Sequence, residues 1–581
     1  MWVRTMAIVT IKPYLSPTCV LLAFDWPDGE QHPDFLGFAI RRTPGFGKNQ
    51  NFLVNKLDFT PIGPNAKPKP SSEAPIQKFN WWDSGFATAD RGKTFKYEVI
   101  PVFGTGPGNL KLQQAARGTS TVTLPKVLDG KIATYFNRAV VSAQSFPRTK
   151  PLEFQMDWLA NGLQDAVPEV LSESEAFDCA IYHLSDERWI LPSFKKFSGR
   201  GSLTYFDKGK DTKSQAGAND LKDKRNISEH KRDAIAKLMH DKFIVSYKNG
   251  HAGAVLMGST NFTPEAQTVQ ANLLHILHSP QLAGLYAQRA QLLAANKKTS
   301  DIAKFAGWHD VTDIPGTSLR VFFTPEPGKQ RKYLDTVTAA VQAAKSSVLF
   351  CMFTASDTGL MNAIFAKGDS PDHLIYGLIN SIDDPDRPTK SGEKRTNLPK
   401  IAATIYHRSN QKNPDTLAYD AFTEAAPRGF LPELRSIDTS KYDVSVTKKP
   451  GKKASAKKRG GGPPPIHVHH KFIVIDGDTP HPTIYTGSPN FSAAAENGND
   501  ENELEIKGNT RLAQIYVAEF MRLYNHYRAR ALWDKTHPSG GKRRGKPATQ
   551  DSLVLKTTRD GWAKDAYTPG TKAALARARG L

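Results

Sequence analysis

A chain of 581 residues, 39% hydrophobic and 10% aromatic, has room for about three to four domains with ordinary buried cores. Its net charge of +21 points to an anionic partner (nucleic acid, an acidic membrane surface or a phosphorylated substrate), the plainer alternative being a generally basic surface. Three cysteines, Cys19, Cys179 and Cys351, exclude a disulfide framework. No stretch approaches the ~20 apolar residues of a membrane span, and MWVRTMAIVTIKP has too short an apolar run for a signal peptide. The expectation is a cytoplasmic protein.

Residues 1–124 read as an all-β sandwich. VLLAFDWPDG, DFLGFAIRR, QKFNWWDSG and TFKYEVIPVFG are aromatic-rich, partly alternating runs separated by Pro, Gly and Asp turns. With Trp26 after an early strand and Tyr97 on a late one, this segment resembles a fibronectin type III or immunoglobulin-like module. Residues 125–315 form a first α/β unit. In it, MDWLANGLQDAVPEVL predicts a helix interrupted near Pro168, followed by the strand of Cys179. Residues 208–232 read as a charged, exposed loop, and Asp233 to Met239 as a short helix. A strand over 272–277 and a helix around LAGLYAQRAQLLAAN complete the unit.

Residues 316–536 repeat the plan. LRVFFTP, SSVLFCMF, HLIYGLIN and IAATIYH read as strands and YLDTVTAAVQAAK as a helix of good formers. Cys179 and Cys351 sit in similar apolar runs and read as corresponding core thiols. The tract at about 447–465 is Lys-, Gly- and Pro-rich and predicts a disordered insertion at the mouth of any site formed by the residues after it. After a helix over 511–533 comes a basic tail, 537–581, whose last segment can form a short helix.

One pattern occurs twice. HDKFIVSYKNGHAGAVLMGSTN (240–261) and HKFIVIDGDTPHPTIYTGSPN (470–490, preceded by His469) share His240 and His469, Lys242 and Lys471, Gly258 and Gly487, Ser259 and Ser488, and Asn261 and Asn490. In each, the His-to-Asn separation is 21 residues and a Phe follows. On a strand, His and Lys two apart project together. Ser and Asn after a Gly belong to a turn whose backbone can approach a ligand closely. Ammonium, hydroxyl and amide groups can hold an anion's oxygens, and an imidazole can serve as nucleophile or general acid/base. Two such sets face to face would clamp one phosphate between two histidines and perform phosphoryl transfer without a metal or other cofactor. Single copies read more blandly as polar strand ends; the duplication removes that reading. His467, His469 and His470 are an alternative metal cluster, but Lys471 among them would repel a cation. Ser259 and Ser488 lie in no nucleophile-elbow pattern.

The paired motif resembles that of the phospholipase D superfamily, HxK(x)4D…GSxN. The second copy matches at every position, Asp476 included; in the first, Tyr247 replaces the Asp. The resemblance covers roughly residues 130–535. It implies a pseudo-twofold pair of α/β/α halves with the site between them, and a carboxylate near Glu501, 11 residues after Asn490, hydrogen-bonded across the interface to a catalytic imidazole. Glu503 is a rival for that role. The position matching Glu501 in the first copy is Asn272. The chain is thus expected to be multidomain: an N-terminal β-sandwich followed by two phospholipase D-like halves forming an intramolecular pair within a monomer.

The resemblance implies attack by one histidine to give a phosphohistidine, with the other protonating the leaving group and then activating water. Lys242, Lys471, Asn261 and Asn490 would neutralise and orient the phosphoryl oxygens. A carboxylate stabilises charge on the imidazole it touches. Glu501 therefore marks His240 as the nucleophile, and neutral Asn272 marks His469 as the acid/base. The expected substrate is a phospholipid headgroup diester, with peripheral contact to an acidic membrane. The alternatives are a metal-independent nuclease or DNA-adduct phosphodiesterase, a phosphatidyl transferase, and a non-catalytic basic scaffold.

Overall fold

The computed structural model describes residues 6–47, 50–55, 57–60, 67–139, 150–208, 213–328, 330–354, 356–380, 404, 418–421, 468–536 and 554–581. The basic tract 447–465, His467, the expected strand 401–407 apart from Thr404, and the tail SGGKRRGKP lie outside the described residues. Among the described residues, no helix is long and apolar enough to cross a membrane.

The N-terminal strands are β1 (Thr10–Leu15), β2 (Val20–Asp25), β3 (Phe35–Thr43), β4 (Asn80–Asp83), β5 (Thr94–Gly104), β6 (Leu110–Leu112) and β7 (Gly118–Thr123). They make two small antiparallel sheets, β1-β2-β4 and β3-β5-β6 with β7 on β5. One core joins them, built from inward-facing residues such as Trp26, Phe38, Tyr97 and Val99.

The first α/β unit contains β8 (Leu128–Asp129), β9 (Ile132–Phe136), α1 (Leu152–Ala160), α2 (Ala166–Ser172), β10 (Ala176–Ile181), α3 (Ile190–Lys196), β11 (Arg200–Phe206), α4 (Lys213–Leu221), β12 (Ile227–Arg232), β13 (Lys242–Lys248), β14 (His251–Gly258), α5 (Pro264–Thr268), β15 (Leu273–Leu277) and α6 (Pro280–Ala294). The second has β16 (Gly307–Val311), β17 (Ser318–Thr324), α7 (Lys332–Ala343), β18 (Ser347–Met352), α8 (Thr358–Asp369), β19 (Leu374–Ile379), β20 (Ala418–Ala421), β21 (Lys471–Ile475), β22 (Thr483–Gly487), α9 (Ala493–Asn497), β23 (Glu501–Lys507) and α10 (Thr510–Thr536). Helices α11 (Arg559–Tyr567) and α12 (Lys572–Arg579) follow.

Each unit is one eight-stranded mixed sheet. The orders are β8-β9-β15-β14-β13-β10-β11-β12 and β16-β17-β23-β22-β21-β18-β19-β20. Strand directions match pair for pair: five antiparallel steps, then two parallel ones. The motif strands β13 and β21 are central, which explains their continuous apolar runs: helices cover both faces, so every residue of β21 is buried. Phe243, Val245, Phe472 and Val474 enter a core shared by both units. Ile244 faces the first unit's outer layer, and Ile473 and Ile475 face the second's.

Several expectations change. Residues 208–232 are not one exposed loop: they contain α4 and β12, and Arg232 is fully buried. Residues 233–239 form no helix, because their amides bond outward. Ala234 N–H donates to Asn296 Oδ1, Lys237 N–H to Gly498 O and Leu238 N–H to Asn499 Oδ1. The break in 152–172 falls at Asn161 and Gly162, both with positive φ, whereas Pro168 sits in the first turn of α2, where its missing N–H has no intrahelical role. Cys179 and Cys351 are one position out of register. Cys179 pairs with Ile244, but Cys351 pairs with Phe472, whose counterpart Phe243 faces Ala180. The two thiols therefore enter different cores. The second sheet begins at β16, inside the segment assigned to the first unit. Residues 554–581 form two helices, with Trp562 and Tyr567 in the N-terminal core.

Candidate active site

Each motif histidine precedes a central strand, and its backbone is held by the opposite unit. His240 N–H donates to Asp500 O at 2.9 Å, and His469 N–H to Ala271 O at 3.0 Å. Matching parallel bridges, Met239 with Asp500 and Ala271 with Val468, flank these bonds. The side chains repeat the exchange. His240 Nδ1 donates to Glu501 Oε2 at 2.7 Å, and His469 Nδ1 to Asn272 Oδ1 at 2.9 Å. Both Nδ1 atoms are thereby engaged, so Nε2 is the ring nitrogen not taken up by these contacts. Glu503 makes no bond to either imidazole; its buried carboxyl faces the Tyr333 hydroxyl. Between the two rival carboxylates, the geometry places Glu501 on His240.

Lys242 Nζ donates to His240 O at 2.6 Å and Lys471 Nζ to His469 O at 2.7 Å. Each ammonium stands 5.3 Å from an aromatic centroid, Tyr182 for Lys242 and Phe353 for Lys471. The same rings contact the imidazoles, at 5.0 Å for Tyr182 with His240 and 5.3 Å for Phe353 with His469. These aromatics were missed in the sequence. Each is the first residue after β10 or β18, so the register of that strand against the His-x-Lys strand was the signal. His183, stacked on Tyr182, also lies near enough to His240 for its charge to bear on that ring.

The glycines allow close approach. A Cβ at Gly258 would lie 2.4 Å from Leu273 O, and one at Gly487 2.2 Å from Asn502 O. Ser259 Oγ donates to Asn272 Oδ1 at 2.9 Å. Ser488 Oγ accepts from Asn502 N–H at 3.0 Å. Asn261 and Asn490 each bury an amide oxygen with no protein partner, a group that costs free energy unless a ligand or water meets it. Asp476 stands apart: its carboxylate accepts the N–H groups of Lys345, Ser346 and Ser347. Tyr247, at the matching place, donates to Asp178 Oδ2 at 2.5 Å.

Burial dominates the electrostatics. It holds the His240 imidazole well below its ordinary pKa, helped by the Lys242 and Lys471 ammoniums. His469 is lowered for the same reasons. Lys242 is pushed down to about 7, with Glu501 and Asp241 opposing, and Lys471 falls well below its usual value through burial and Lys242. Burial raises Glu501, against the pull of Lys242. Taking charges out of water disfavours their charged forms, and an anion between the ammoniums would reverse that. Of the histidines in the alternative metal cluster, His470 packs against Phe136 and Phe472, while His469 meets Asn272 and Phe353. Among the described residues, no group of three or more His, Cys, Asp and Glu side chains is placed to hold a metal.

Residues 337–524 match the family model described as cardiolipin synthase, PLD-like domain. That span contains the second motif copy and Glu501. No curated protein matches the chain. Solved structures similar to it include a phosphatidylserine synthase from Haemophilus influenzae, 12% identical with a TM-score of 0.42, covering 69% of this chain and 90% of that one. Another is a phospholipase D family member, Nuc, from Salmonella typhimurium, 20% identical with a TM-score of 0.22, covering 36% and 95%. A polyphosphate kinase from Porphyromonas gingivalis is 8% identical with a TM-score of 0.35, covering 66% of this chain and 49% of the kinase. The chain therefore spans about half the kinase's length.

Proposed function

We propose that this protein is a phospholipase D-type phosphodiesterase that hydrolyses the headgroup diester of a phospholipid through a phosphohistidine on His240. The observation that carries the assignment is the unequal support of the two imidazoles: a carboxylate at 2.7 Å on His240, a neutral amide at 2.9 Å on His469. The carboxylate stabilises the positive charge His240 gains on attack. Its Nε2 forms the bond to phosphorus while the bond from phosphorus to the headgroup oxygen breaks, and His469 Nε2–H protonates that oxygen. His469 then accepts a proton from water, the water oxygen attacks phosphorus, and the P–N bond breaks to restore His240. A bound phosphodiester anion offsets Lys242 and Lys471, which favours the protonated form of His469 that the first step needs.

The matching strand orders of the two sheets support reading them as pseudo-twofold halves with this site between them. The shared core of the two N-terminal sheets supports a fibronectin type III-like sandwich. A second reading, transfer of the phosphatidyl group to an alcohol in place of water, is favoured by the description of the matched family model. The test is a side-by-side assay on headgroup-labelled vesicles, with and without an acceptor alcohol, and on single- and double-stranded nucleic acid, all in excess chelator. Release of headgroup is expected, unchanged by the chelator. Cleavage of nucleic acid alone would overturn the substrate assignment. Loss of turnover in chelator, restored by a divalent ion, would overturn the phosphohistidine mechanism.

A further inference from the structure

The support of His469 does not end at Asn272. Asn272 Oδ1 accepts from both Ser259 Oγ and His469 Nδ1, and its Nδ2 donates to Ala266 O at 3.1 Å, which sets the direction of the amide. Asn137 holds this arrangement from behind. Its Oδ1 accepts Asn272 N–H at 3.0 Å, and its Nδ2 faces the carbonyls of Ala266, Gln267 and Gln270. Arg522, on α10, donates to the carbonyls of Asn137 and Arg138 at 3.1 and 3.3 Å. Glu519, one turn earlier, holds that guanidinium at 2.7 Å. Its other oxygen accepts Ser16 Oγ at 2.5 Å and also Thr18 Oγ1, both in the turn between β1 and β2. Side chains of Ser16, Thr18, Asn137, Asn272, Glu519 and Arg522 are all buried.

We propose that Asn137, Arg522 and Glu519 are positioning residues for His469, and that the β1–β2 turn of the N-terminal sheets completes their support. The inference rests on the phosphodiesterase reading for its catalytic consequence, but not for its structural one. An oxygen facing Nδ1 suits both the protonated ring and the neutral ring with its proton on Nδ1, the two states an acid/base histidine alternates between. Turning the Asn272 amide would present an N–H to Nδ1 and disfavour both. Removing the two hydroxyls leaves Glu519 with Arg522 as its charged partner, frees Arg522 to shift, and loosens the segment that fixes the amide. Among the described residues, this link from the N-terminal sheets runs to the second histidine.

The experiment compares wild type with Ser16→Ala/Thr18→Ala, with Asn137→Ala, and with Thr18→Ser as the conservative control. Nitrogen-15 spectra of histidine-labelled protein, assigned with His469→Asn and His240→Asn, follow the ring nitrogens of both residues against pH. In the Ser16/Thr18 double variant the His469 signals should shift and those of His240 should hold. Turnover of an unactivated diester should fall about tenfold in kcat with KM unchanged, well short of the roughly 10²–10⁴-fold worth of a general acid/base. A nitrophenyl diester should still phosphorylate the variant at the wild-type rate, because its leaving group needs no proton. Thr18→Ser should behave as wild type. Unchanged spectra and kcat with only a lower melting temperature would overturn the proposal, as would equal changes at both histidines. If wild type turns over no phosphodiester yet the His469 signals still shift selectively, the positioning stands and the proposed reaction falls. If Asn137→Ala does not fold, the double variant decides alone.

Discussion

The two histidines stand on the same framework, finished differently. An arginine on a long helix donates to the carbonyl of the residue facing each orienting side chain. Arg289 on α6 bonds Thr324 O at 2.6 Å opposite Glu501, and Arg522 on α10 bonds Asn137 O at 3.1 Å opposite Asn272. Arg289 is held within the two α/β units by Asp241 and Asp500, with Arg232 on the other side of Asp500. Arg522 is held by Glu519, which the N-terminal sheets secure. One support is a buried network of ions local to the site; the other leans on a separate part of the chain. A duplicated motif can thus keep its geometry while its copies diverge in charge and in what they depend on. Breaking a buried ion pair by removing one partner costs several kcal/mol because the remaining charge is stranded, and this applies to Arg289 with Asp500 and to Arg522 with Glu519 alike; the sides differ in where the supporting groups come from.

Removing each ring in turn breaks the comparison most severely. His240→Asn should lower turnover by about 10⁴-fold or more and leave no covalent phosphoenzyme, since the attacking nitrogen is gone. His469→Asn, given a nitrophenyl diester, should be phosphorylated once and then stall for want of a base. Mass spectrometry of the acid-labile adduct locates the phosphate. Finding it on His469 in wild type would exchange the two roles.

A smaller change makes the copies alike. Glu501→Gln gives both imidazoles an amide partner, and kcat should fall on the order of 10²-fold while KM changes little. A variant as active as wild type would show that the carboxylate does not distinguish the two rings.

The mildest perturbation leaves the chain intact and varies pH. Lys242 sits near 7, through burial. An anion beside it favours its charged form, so inorganic phosphate should bind with uptake of a proton above pH 7, and its affinity should weaken as pH rises from about 7 towards 10. Calorimetry in buffers of different ionisation enthalpy reads the proton directly. Binding that is pH-independent across that range would place the anion away from Lys242.

Much of this site was legible in the sequence because it is built from local pattern. A His-x-Lys pair ahead of an apolar run, then Gly-Ser-x-Asn at a constant distance, names side chains that a central strand and its neighbour must project together. The apolar runs of β13 and β21 likewise announced strands covered on both faces. Where the choice depended on what lies across from a residue, local pattern was silent. Glu501 and Glu503 share one face of β23, and only packing put the first against His240 and the second beside Tyr333. Residues 233–239 have helical composition, but their amides find partners in distant segments. Cys179 and Cys351 occupy similar words one register apart, and a shift of one residue on a strand changes which core a side chain enters. The reach from Ser16 to Glu519 spans 503 positions. Periodicity and motif spacing report neighbours along the chain, whereas that hydrogen bond exists only because burying separate apolar faces brought the β1–β2 turn down onto α10.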